Sequence, residues 1–360
     1  MAAFIRDREA RHRFRNKYKI RSKFRKLRDD FKRVFNESQV MRNDIMSLKA
    51  ELGAIKANYN QHLWEFERVY TLSFHVEPLD DMPPKGPTSD VFLAIACVAK
   101  NEGPYLKEWI EYHKIVGVER FYFYDNESDD NTKEILEPYI QDGTVVYHFM
   151  PNHPITKQLP LIEVYNDAIF KYRDRTKWMA IIDIDEFIVP VEKETIPDIL
   201  KEYDQYPGLA VNWVCFDSSG HDKKPVAHGG LLTANYTTVR KNHNVGPDKI
   251  VKSIVKAKHV VNYISAHFDL YYQNFQAVNE NFQVARGMTT KVHSSSKIRI
   301  NHYFTKSREE YVNKIARNSK GAINPYKFVE DRVNFKEETV EDFVIQKYLP
   351  KLKSALGITD

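Results

Sequence analysis

The chain has 360 residues, of which 42% are hydrophobic and 13% aromatic, so it can bury the core of one large domain or of two smaller ones. This composition excludes a globally disordered protein. The longest uncharged apolar stretch, "VFLAIACVA" at 91–99, is about half of a membrane-spanning helix. Cys97 and Cys215 lie far apart in apolar runs, which argues against a disulfide framework or a zinc site and fits a reducing compartment.

The net charge of +5 is concentrated at the beginning of the chain, because residues 1–36 contain 14 Lys/Arg and only 4 Asp/Glu. Their opening letters, "MAAFIRDREA", have no apolar core of a signal peptide, so we expect a cytoplasmic protein. The mixture of basic and aromatic residues suits contact with an anionic membrane surface at its inner face. A solvated helix face is the plain alternative, and nucleic acid is the weakest of the three.

A heptad pattern follows this basic arm within residues 1–72. Counting from Ile20 to Val69 in alternating steps of four and three gives an apolar seam that only Ser38 and His62 interrupt. A sustained period of 3.5 residues predicts a coiled coil, and with it a homo-oligomer. The alternative is a long amphipathic helix that lies back on its own catalytic domain.

Beyond this seam the pattern changes. Residues 73–90, which include "VEPLDDMPPKGPTSD", are rich in proline and predict a linker. Short apolar runs then alternate with helical segments in the region 91–330, and residues 331–360 predict a C-terminal helical tail. In chain order the pattern predicts a strand over 91–100, a helix over 104–116, a strand over 120–125, a helix over 131–142, a strand over 144–150, a helix over 158–173 and a strand over 178–185. This alternation indicates an α/β fold with a mostly parallel sheet flanked by helices.

Polar clusters follow three of these strands, and ligands of such sheets bind outside the carboxyl ends of the strands. "AKNEG" at 99–103 opens a helix, whose free amides suit a phosphate or nucleotide. In "YDNESDDNT" at 124–132, Asp125 could accept hydrogen bonds from a base or ribose, although the stretch is equally typical of a turn.

The third cluster is "WMAIIDIDEFIVP" at 178–190. Alternation along an extended strand predicts Asp183 and Asp185 on one side, about 6–7 Å apart, with Ile184 turned into the core. Two such carboxylates can share a hard cation that also holds a diphosphate. Chance alone supplies such a pair in a chain of this composition, so its position after a fourth strand is what favours a site.

Five stretches in this order resemble glycosyltransferase family 92, a relative of the larger family 2: "CVAKNEGPYLKEWIEYHKIVGVERFYFYDNESDDNT", "WMAIIDIDEFIVP", "VNWVCFDSSGHDKKP", "KIVKSIVKAKHVVNYISAH" and "INHYFTKSREEYVNKI". The resemblance covers about residues 91–320. It implies a Rossmann-like GT-A fold, a nucleotide-sugar donor, commonly a UDP-sugar, and a divalent cation, Mn²⁺ or Mg²⁺.

The resemblance also implies roles for individual residues. Asp183 and Asp185 would form the D-x-D metal motif, and His302 in "INHYF" would complete the metal–diphosphate site, although a histidine beside aromatic residues in a strand is also typical of a core. The residues implied to contact the nucleotide are Lys100, Asn101, Glu102, Asp125 and Asp183.

Glycosyl transfer needs charge neutralisation on the departing diphosphate, which a metal supplies, and an inverting reaction also needs a base. The candidate bases are Asp217, Glu186, His221 and Asp222. We favour Asp217 slightly, although it stands where the family usually has a small residue. Glu186 could instead bind hydroxyls of the donor sugar.

Further basic residues have two interpretations each. Lys252 and its neighbours in "DKIVKSIVKAK" either clamp phosphates or lie on a solvated edge strand. In "YFTKSREEY", Lys306 and Arg308 either flank the start of a helix with Ser307 as N-cap or reach the diphosphate.

The sequence therefore predicts a metal-dependent, inverting glycosyltransferase that moves a sugar from a nucleotide-sugar to a saccharide or glycolipid acceptor in surface glycan synthesis. Two alternatives stay open: a sugar nucleotidyltransferase, and a coiled-coil scaffold that carries an inactive transferase domain.

Overall fold

The computed structural model describes residues 90–152, 161–272, 275–285, 287–319 and 333–358. The basic arm and coiled coil predicted over 1–72, and all but the last residue of the predicted linker, lie outside these ranges. The described residues all lie in one compact unit, Met82–Asp360.

Strands and helices alternate along the first half of the unit, as the sequence predicts. The strands are β1 (Val91–Ala99), β2 (Arg120–Asp125), β3 (Val145–Phe149), β4 (Thr176–Ile181), β5 (Glu186–Pro190), β6 (Gly208–Cys215), β7 (Thr238–Arg240), β8 (Val251–Lys256), β9 (Val260–Ser265), β10 (Phe268–Tyr271), β11 (Ile298–His302) and β12 (Thr339–Glu341). The α-helices are α1 (Gly103–Ile115), α2 (Thr132–Gln141), α3 (Leu161–Tyr172), α4 (Ile196–Leu200), α5 (Leu232–Asn235), α6 (Arg308–Ser319) and α7 (Leu349–Leu356). None of the helices in the described ranges is long and apolar enough to cross a membrane.

Eight strands form one sheet in the order β3-β2-β1-β4-β8-β6-β11-β5. Strands β1 to β4 are mutually parallel, and β6 and β11 share their direction, whereas β8 and β5 run antiparallel to their neighbours. The predicted α/β fold with a mostly parallel sheet is confirmed, and the two antiparallel strands are an addition to it. Strands β9 and β10 form a separate hairpin, and β12 pairs with β7.

Both faces of the sheet are buried. Along β1, Leu93 and Ile95 pack in the same core cluster as Trp109 of α1. The intervening Ala94 packs in a second cluster with Tyr165 of α3. Because successive side chains of a strand point to opposite faces, this continuous apolar run is what a strand covered by helices on both sides requires.

Helix α1 also covers the free edge of β5. The indole N–H of Trp109 donates to the carbonyl of Glu186 (2.8 Å), and the hydroxyl of Tyr112 donates to the carbonyl of Ile188 (3.1 Å). The N–H of Ile188 donates to Nε2 of His113 (3.2 Å). Burial lowers the pKa of His113 to about 3, so its ring is neutral and can accept this bond. The edge strand is thus closed to pairing with another chain.

A short connection curls the sheet. Strand β4 ends at Ile181 and β5 begins at Glu186, although three strands lie between them in the sheet. The N–H of Glu186 bonds to the carbonyl of Asp183 (3.1 Å), so the connection is a tight turn that spans at most about 15 Å. Four strand spacings in a flat sheet would require about 19 Å. The sheet must therefore curl until β4 and β5 approach each other.

This turn corrects one sequence prediction. The strand predicted over 178–185 ends at Ile181, so Asp183 and Asp185 lie in a turn and not in an extended strand. Their predicted placement by strand alternation is wrong, because the chain must leave β4 at once to reach β5. The prediction that Ile184 is buried is confirmed.

Residues 333–358, within the predicted C-terminal tail, contain β12 as well as helix α7 and pack into the unit. Arg299 of β11 forms a two-pronged ion pair with Asp342, with Nη1 2.7 Å from Oδ2. The hydroxyl of Tyr348 donates to backbone carbonyls of Pro190 (3.2 Å) and Glu194 (2.9 Å).

A buried carboxylate organises the chain just before β11. Glu280 accepts the N–H and hydroxyl of Ser296 (2.8 and 2.9 Å) and the N–H groups of Lys297 (2.8 Å) and Ile298 (3.0 Å). It also accepts the hydroxyl of Ser294. Burial would raise the pKa of Glu280, but these hydrogen bonds lower it below its ordinary value. The carboxylate therefore fixes the start of the strand that carries His302.

Replacing this anchor should destabilise the unit. We expect Glu280→Gln to lower the free energy of unfolding by about 2–4 kcal/mol at neutral pH, because an amide cannot accept all of these bonds. The pKa of Glu280 is depressed in the folded state, so its contribution is present above about pH 4 and is lost as the pH falls through the folded value. Urea unfolding at pH 7 and at about pH 3 should show the difference shrinking with acid. Exposed Glu192→Gln is the matched control, and equal effects of the two substitutions would contradict the anchoring role.

Candidate active site

The polar residues predicted to form the site lie at one edge of the sheet. Because six strands share a direction, their carboxyl ends meet at this edge, together with the amino ends of β8 and β5. Lys100 follows β1, Asp125 ends β2, Asp217 comes two residues after β6, His302 ends β11 and Lys252 lies at the beginning of β8. Residues as far apart in sequence as Lys100 and His302 are thereby brought to the edge that the turn between β4 and β5 crosses.

A buried lysine holds two of the acids in this turn. The ammonium of Lys252 lies 3.2 Å from Oδ2 of Asp183 and 3.6 Å from Oε2 of Glu186. The same Oε2 accepts the N–H of Asp183 (2.9 Å). Lys252 is 2% exposed and Glu186 is fully buried. Burial would lower the pKa of Lys252, but the two carboxylates raise it, so the ammonium stays charged.

One ammonium cannot neutralise two carboxylates fully. Burial raises the pKa of Glu186 to about 7, and Lys252 only partly offsets this effect. Asp183 is the nearer acid, and 42% of its side chain remains exposed to water. Oε1 of Glu186 is buried and has no hydrogen-bond partner in the described part of the chain.

A second lysine holds Asp185. The ammonium of Lys314 lies 2.8 Å from Oδ2 of Asp185, and Nε2 of His302 lies 3.6 Å from Oδ1. The backbone carbonyl of Asp185 accepts the N–H of Tyr303 (2.8 Å). Burial alone would raise the pKa of Asp185, but Lys314 and His302 hold it well below its ordinary value.

Lys314 is the residue of this cluster that the sequence analysis missed. It lies on α6, three positions after the buried Tyr311, so both residues are on the same face of the helix. A lysine beside a buried aromatic residue, on the helix that follows the strand of His302, was the available signal.

The predicted metal ligands are brought together in part. Asp185 and His302 approach each other, whereas Asp183 faces Lys252. Within the described ranges, no three His, Cys, Asp or Glu side chains are arranged to hold a metal ion. A carboxylate and an imidazole nevertheless suit Mn²⁺ or Mg²⁺ when water and substrate phosphates complete the coordination. Asp185 and His302 fit such a two-ligand site.

The two loops that are predicted to bind the nucleotide are hydrogen-bonded to each other. Asn101, at a left-handed φ of 58°, donates from Nδ2 to Oδ1 of Asp129 (2.6 Å) and accepts the N–H of Asp129 (2.9 Å). Asp125 is buried, and it accepts the N–H of Ser128 (2.9 Å) and the hydroxyl of Tyr147 (2.7 Å). The loops after β1 and β2 therefore form one unit at the edge of the sheet.

The charged members of these loops form ion pairs. Lys100 lies 3.8 Å from Glu127, and both side chains are exposed. Glu102 pairs with Lys306 (2.9 Å), which precedes α6. The nucleotide-binding role of these residues stays a prediction.

Helix α6 begins with a capping box. The N–H of Glu310 donates to the hydroxyl of Ser307 (3.4 Å), and the N–H of Ser307 donates to Oε2 of Glu310 (3.1 Å). The predicted N-cap at Ser307 is confirmed. This cap fixes where the helix begins, and so which of its residues faces the acids.

Two of the candidate bases are occupied by backbone groups. Asp217 accepts the N–H of Ser219 (2.8 Å) and the N–H of Phe335 (3.3 Å). Nε2 of His221 lies 3.0 Å from the carbonyl of Asn235. These contacts hold the loop after β6 in place.

The other two candidates differ in access. Glu186 is fully buried beneath the turn, whereas Asp222 is exposed and has no side-chain hydrogen bond or ion pair in the described part of the chain. The carbonyl of Asp222 accepts the N–H of Glu309 (3.0 Å), which places it at the beginning of α6. The identity of the base stays a prediction.

Strand β8 carries Lys252 at its beginning and Lys256 at its end, and His267 contacts the backbone next to Lys252. Strand β8 lies between β4 and β6, so the alternative of a solvated edge strand is wrong. Lys256, at the other end of β8, pairs with Asp204 (3.3 Å). Nδ1 of His267 lies 3.0 Å from the carbonyl of Val251, and burial, with a contribution from Lys252, lowers the pKa of this imidazole to about 4.

Substitution of Lys252 should destabilise the fold, because its carboxylate partners would lose their cation. We expect Lys252→Met to lower the free energy of unfolding by about 3–5 kcal/mol, because it leaves Glu186 and Asp183 without their cation. The double substitution Lys252→Met with Glu186→Gln should recover part of this loss, because less buried charge then lacks a partner. Urea unfolding of the wild-type protein, the two single variants and the double variant measures the coupling energy between Lys252 and Glu186. Strict additivity of the two substitutions would show that the pair does not interact.

Comparisons with known proteins agree with the sequence motifs. A family 92 glycosyltransferase of Oryza sativa subsp. japonica is 27% identical over 175 residues, which cover 46% of this chain and 29% of that protein. A galactan beta-1,4-galactosyltransferase of Arabidopsis thaliana, GALS3, is 29% identical over 151 residues, which cover 38% of this chain and 29% of that protein. The chain thus spans less than a third of the length of these relatives.

Among solved structures, S. aureus TarS 1-349 is similar at 14% identity and a TM-score of 0.34, over 74% of this chain and 79% of that chain. A score this low lends no support to a detailed assignment. The sequence profile of glycosyltransferase family 92 matches residues 94–355, which is more than half of the chain. The prediction of a glycosyltransferase is confirmed at the level of the family. The five motifs, their order and this match together show that the chain belongs to glycosyltransferase family 92.

Proposed function

We propose that this chain transfers a sugar from a UDP-sugar to a saccharide or glycolipid acceptor with inversion, on a GT-A fold and with the help of a divalent cation. The observation that carries the proposal is the cluster of Asp183, Asp185 and Glu186 with His302 at the carboxyl edge of the sheet. Two carboxylates, of Asp183 and Asp185, and an imidazole at the carboxyl edge of the sheet suit a cation-bound diphosphate better than a neutral ligand.

Each residue of this cluster has its own task in the proposal. Asp185 and His302 would hold the cation, which when bound supplies positive charge to the departing diphosphate. Asp183, with its partly exposed carboxylate, faces the donor from the same turn. Lys252 and Glu186 lie beneath the turn and keep its backbone in place.

The chemical class of the acceptor is proposed from a relative's name, and its position is proposed from the loop after β6. The name of the Arabidopsis relative gives galactan as its acceptor and galactose as the sugar that it transfers. UDP-galactose and a galactan oligosaccharide are therefore the first pair to test on this chain. The loop of Asp217, His221 and Asp222 lies at the same edge of the sheet as the acids, where it would face the acceptor hydroxyl.

A donor test separates this proposal from its alternatives. The purified protein with UDP-sugars and Mn²⁺ should release UDP, and Asp185→Asn should lower the rate by about 100-fold or more, because it removes a charged ligand of the cation. Exposed Asp174→Asn is the control and should keep full activity. Release of pyrophosphate from a nucleoside triphosphate and a sugar phosphate would support a nucleotidyltransferase instead. Folded protein that produces neither would support the scaffold.

The base is proposed to be Asp222, because its carboxylate is exposed and free to reach an acceptor. Asp222→Asn should leave the free energy of unfolding within about 0.5 kcal/mol and lower kcat by about 100-fold or more. Asp217→Asn should instead lower the free energy of unfolding by about 1–3 kcal/mol, since its carboxylate holds two backbone N–H groups. Measured kcat per folded molecule decides between them. A large loss of kcat in Asp217→Asn alone would assign the base to Asp217.

A further inference from the structure

Lys314 contacts the acid turn, which is the connection between β4 and β5 with Asp183, Asp185 and Glu186. It can exchange these contacts for others. Its ammonium lies 2.8 Å from Asp185, donates to the carbonyl of Phe304 (3.2 Å) and stands 4.1 Å above the ring of Phe304. An ammonium has three N–H donors, and two of them are assigned by these contacts. The side chain is 32% exposed, which leaves part of it accessible to a ligand.

The second lysine of the cluster has no such freedom. Lys252 is 2% exposed, and its ammonium lies between Asp183 and Glu186 at the beginning of the central strand β8. Moving its ammonium would leave two carboxylates without a cation. Lys314 reaches the site from a helix on a long flexible stem, and its departure would uncover only Asp185.

Asp185 cannot serve two cations at once. A divalent ion bound by Asp185 and His302 would repel the ammonium of Lys314 from the same carboxylate. The contacts with Phe304 would then keep the displaced ammonium beside the ion. A diphosphate bound to that ion would offer oxygens to this ammonium.

We propose that Lys314 is a diphosphate-binding residue that exchanges partners, pairing with Asp185 while the site is free and with the donor's phosphates once donor and cation are bound. This inference rests on the proposed function, because it assumes a diphosphate donor. It assigns to α6 a direct part in holding that donor, with Lys314 as the contact.

The exchange has two consequences of opposite sign. Lys314→Met removes a positive charge that competes for Asp185, so the affinity for Mn²⁺ without nucleotide should rise several-fold. The same substitution removes a charged hydrogen bond to phosphate, so the affinity for UDP should fall about tenfold or more. A residue that only supports the fold would weaken both.

Isothermal titration calorimetry measures both quantities on the full chain. Mn²⁺ is titrated alone, and UDP is titrated in the presence of saturating Mn²⁺. Lys314→Arg should keep most of the UDP affinity, because it keeps a donor of the same charge. Exposed Lys351→Met on α7 is the control and should leave both affinities unchanged. Thermal unfolding verifies that each variant is folded.

The outcomes are distinct. Tighter Mn²⁺ with weaker UDP in Lys314→Met supports the exchange. Unchanged affinities, or both weakened together, would overturn it and leave the proposed function standing if the wild-type protein binds UDP. A wild-type protein that binds no UDP would refute the proposed donor and the exchange together.

Discussion

The shortness of the connection between β4 and β5 determines both the curvature of the sheet and the position of the acids. Residues 182–185 must join two strands that three others separate, so the sheet curls and the connection crosses its carboxyl edge. Ile182 and Ile184 are buried and pin this connection to the core. The acids between and after them are thereby held over the ends of β8, β6 and β11, where Lys252 and His302 lie.

Packing three carboxylates into this turn creates an electrostatic cost that the two lysines offset. An uncompensated buried carboxylate costs several kcal/mol, so the turn could not stay closed over Asp185 and Glu186 without cations beneath and beside it. Lys252 compensates from inside the sheet, and Lys314 compensates from α6. Burial is the main cause of the raised pKa of Glu186, and Lys252 offsets it only in part.

Local periodicity predicted the elements of the fold, because apolar alternation and turn residues are properties of neighbouring positions. It could not predict the order of the strands. The sequence left open whether Lys252 clamps phosphates or lies on a solvated edge strand, and only the position of β8 between β4 and β6 excludes the edge strand. The contacts of Asp217 depend on Phe335, which is 118 positions away in sequence. Lys314 was missed for the same reason, since only the packing of α6 against the turn brings it to Asp185.

Helix α6 links the two halves of the candidate site. Lys306, just before it, pairs with Glu102 of the predicted nucleotide loop, and Lys314 within it pairs with Asp185. The capping box fixes where the helix begins, so it sets the positions of Lys306 before this start and of Lys314 after it. Burial then separates the roles of the two lysines that contact the acid turn. The ammonium of Lys252 is locked between fixed strands and can only stabilise, whereas that of Lys314 is partly exposed and can follow a change in the charge of its partner.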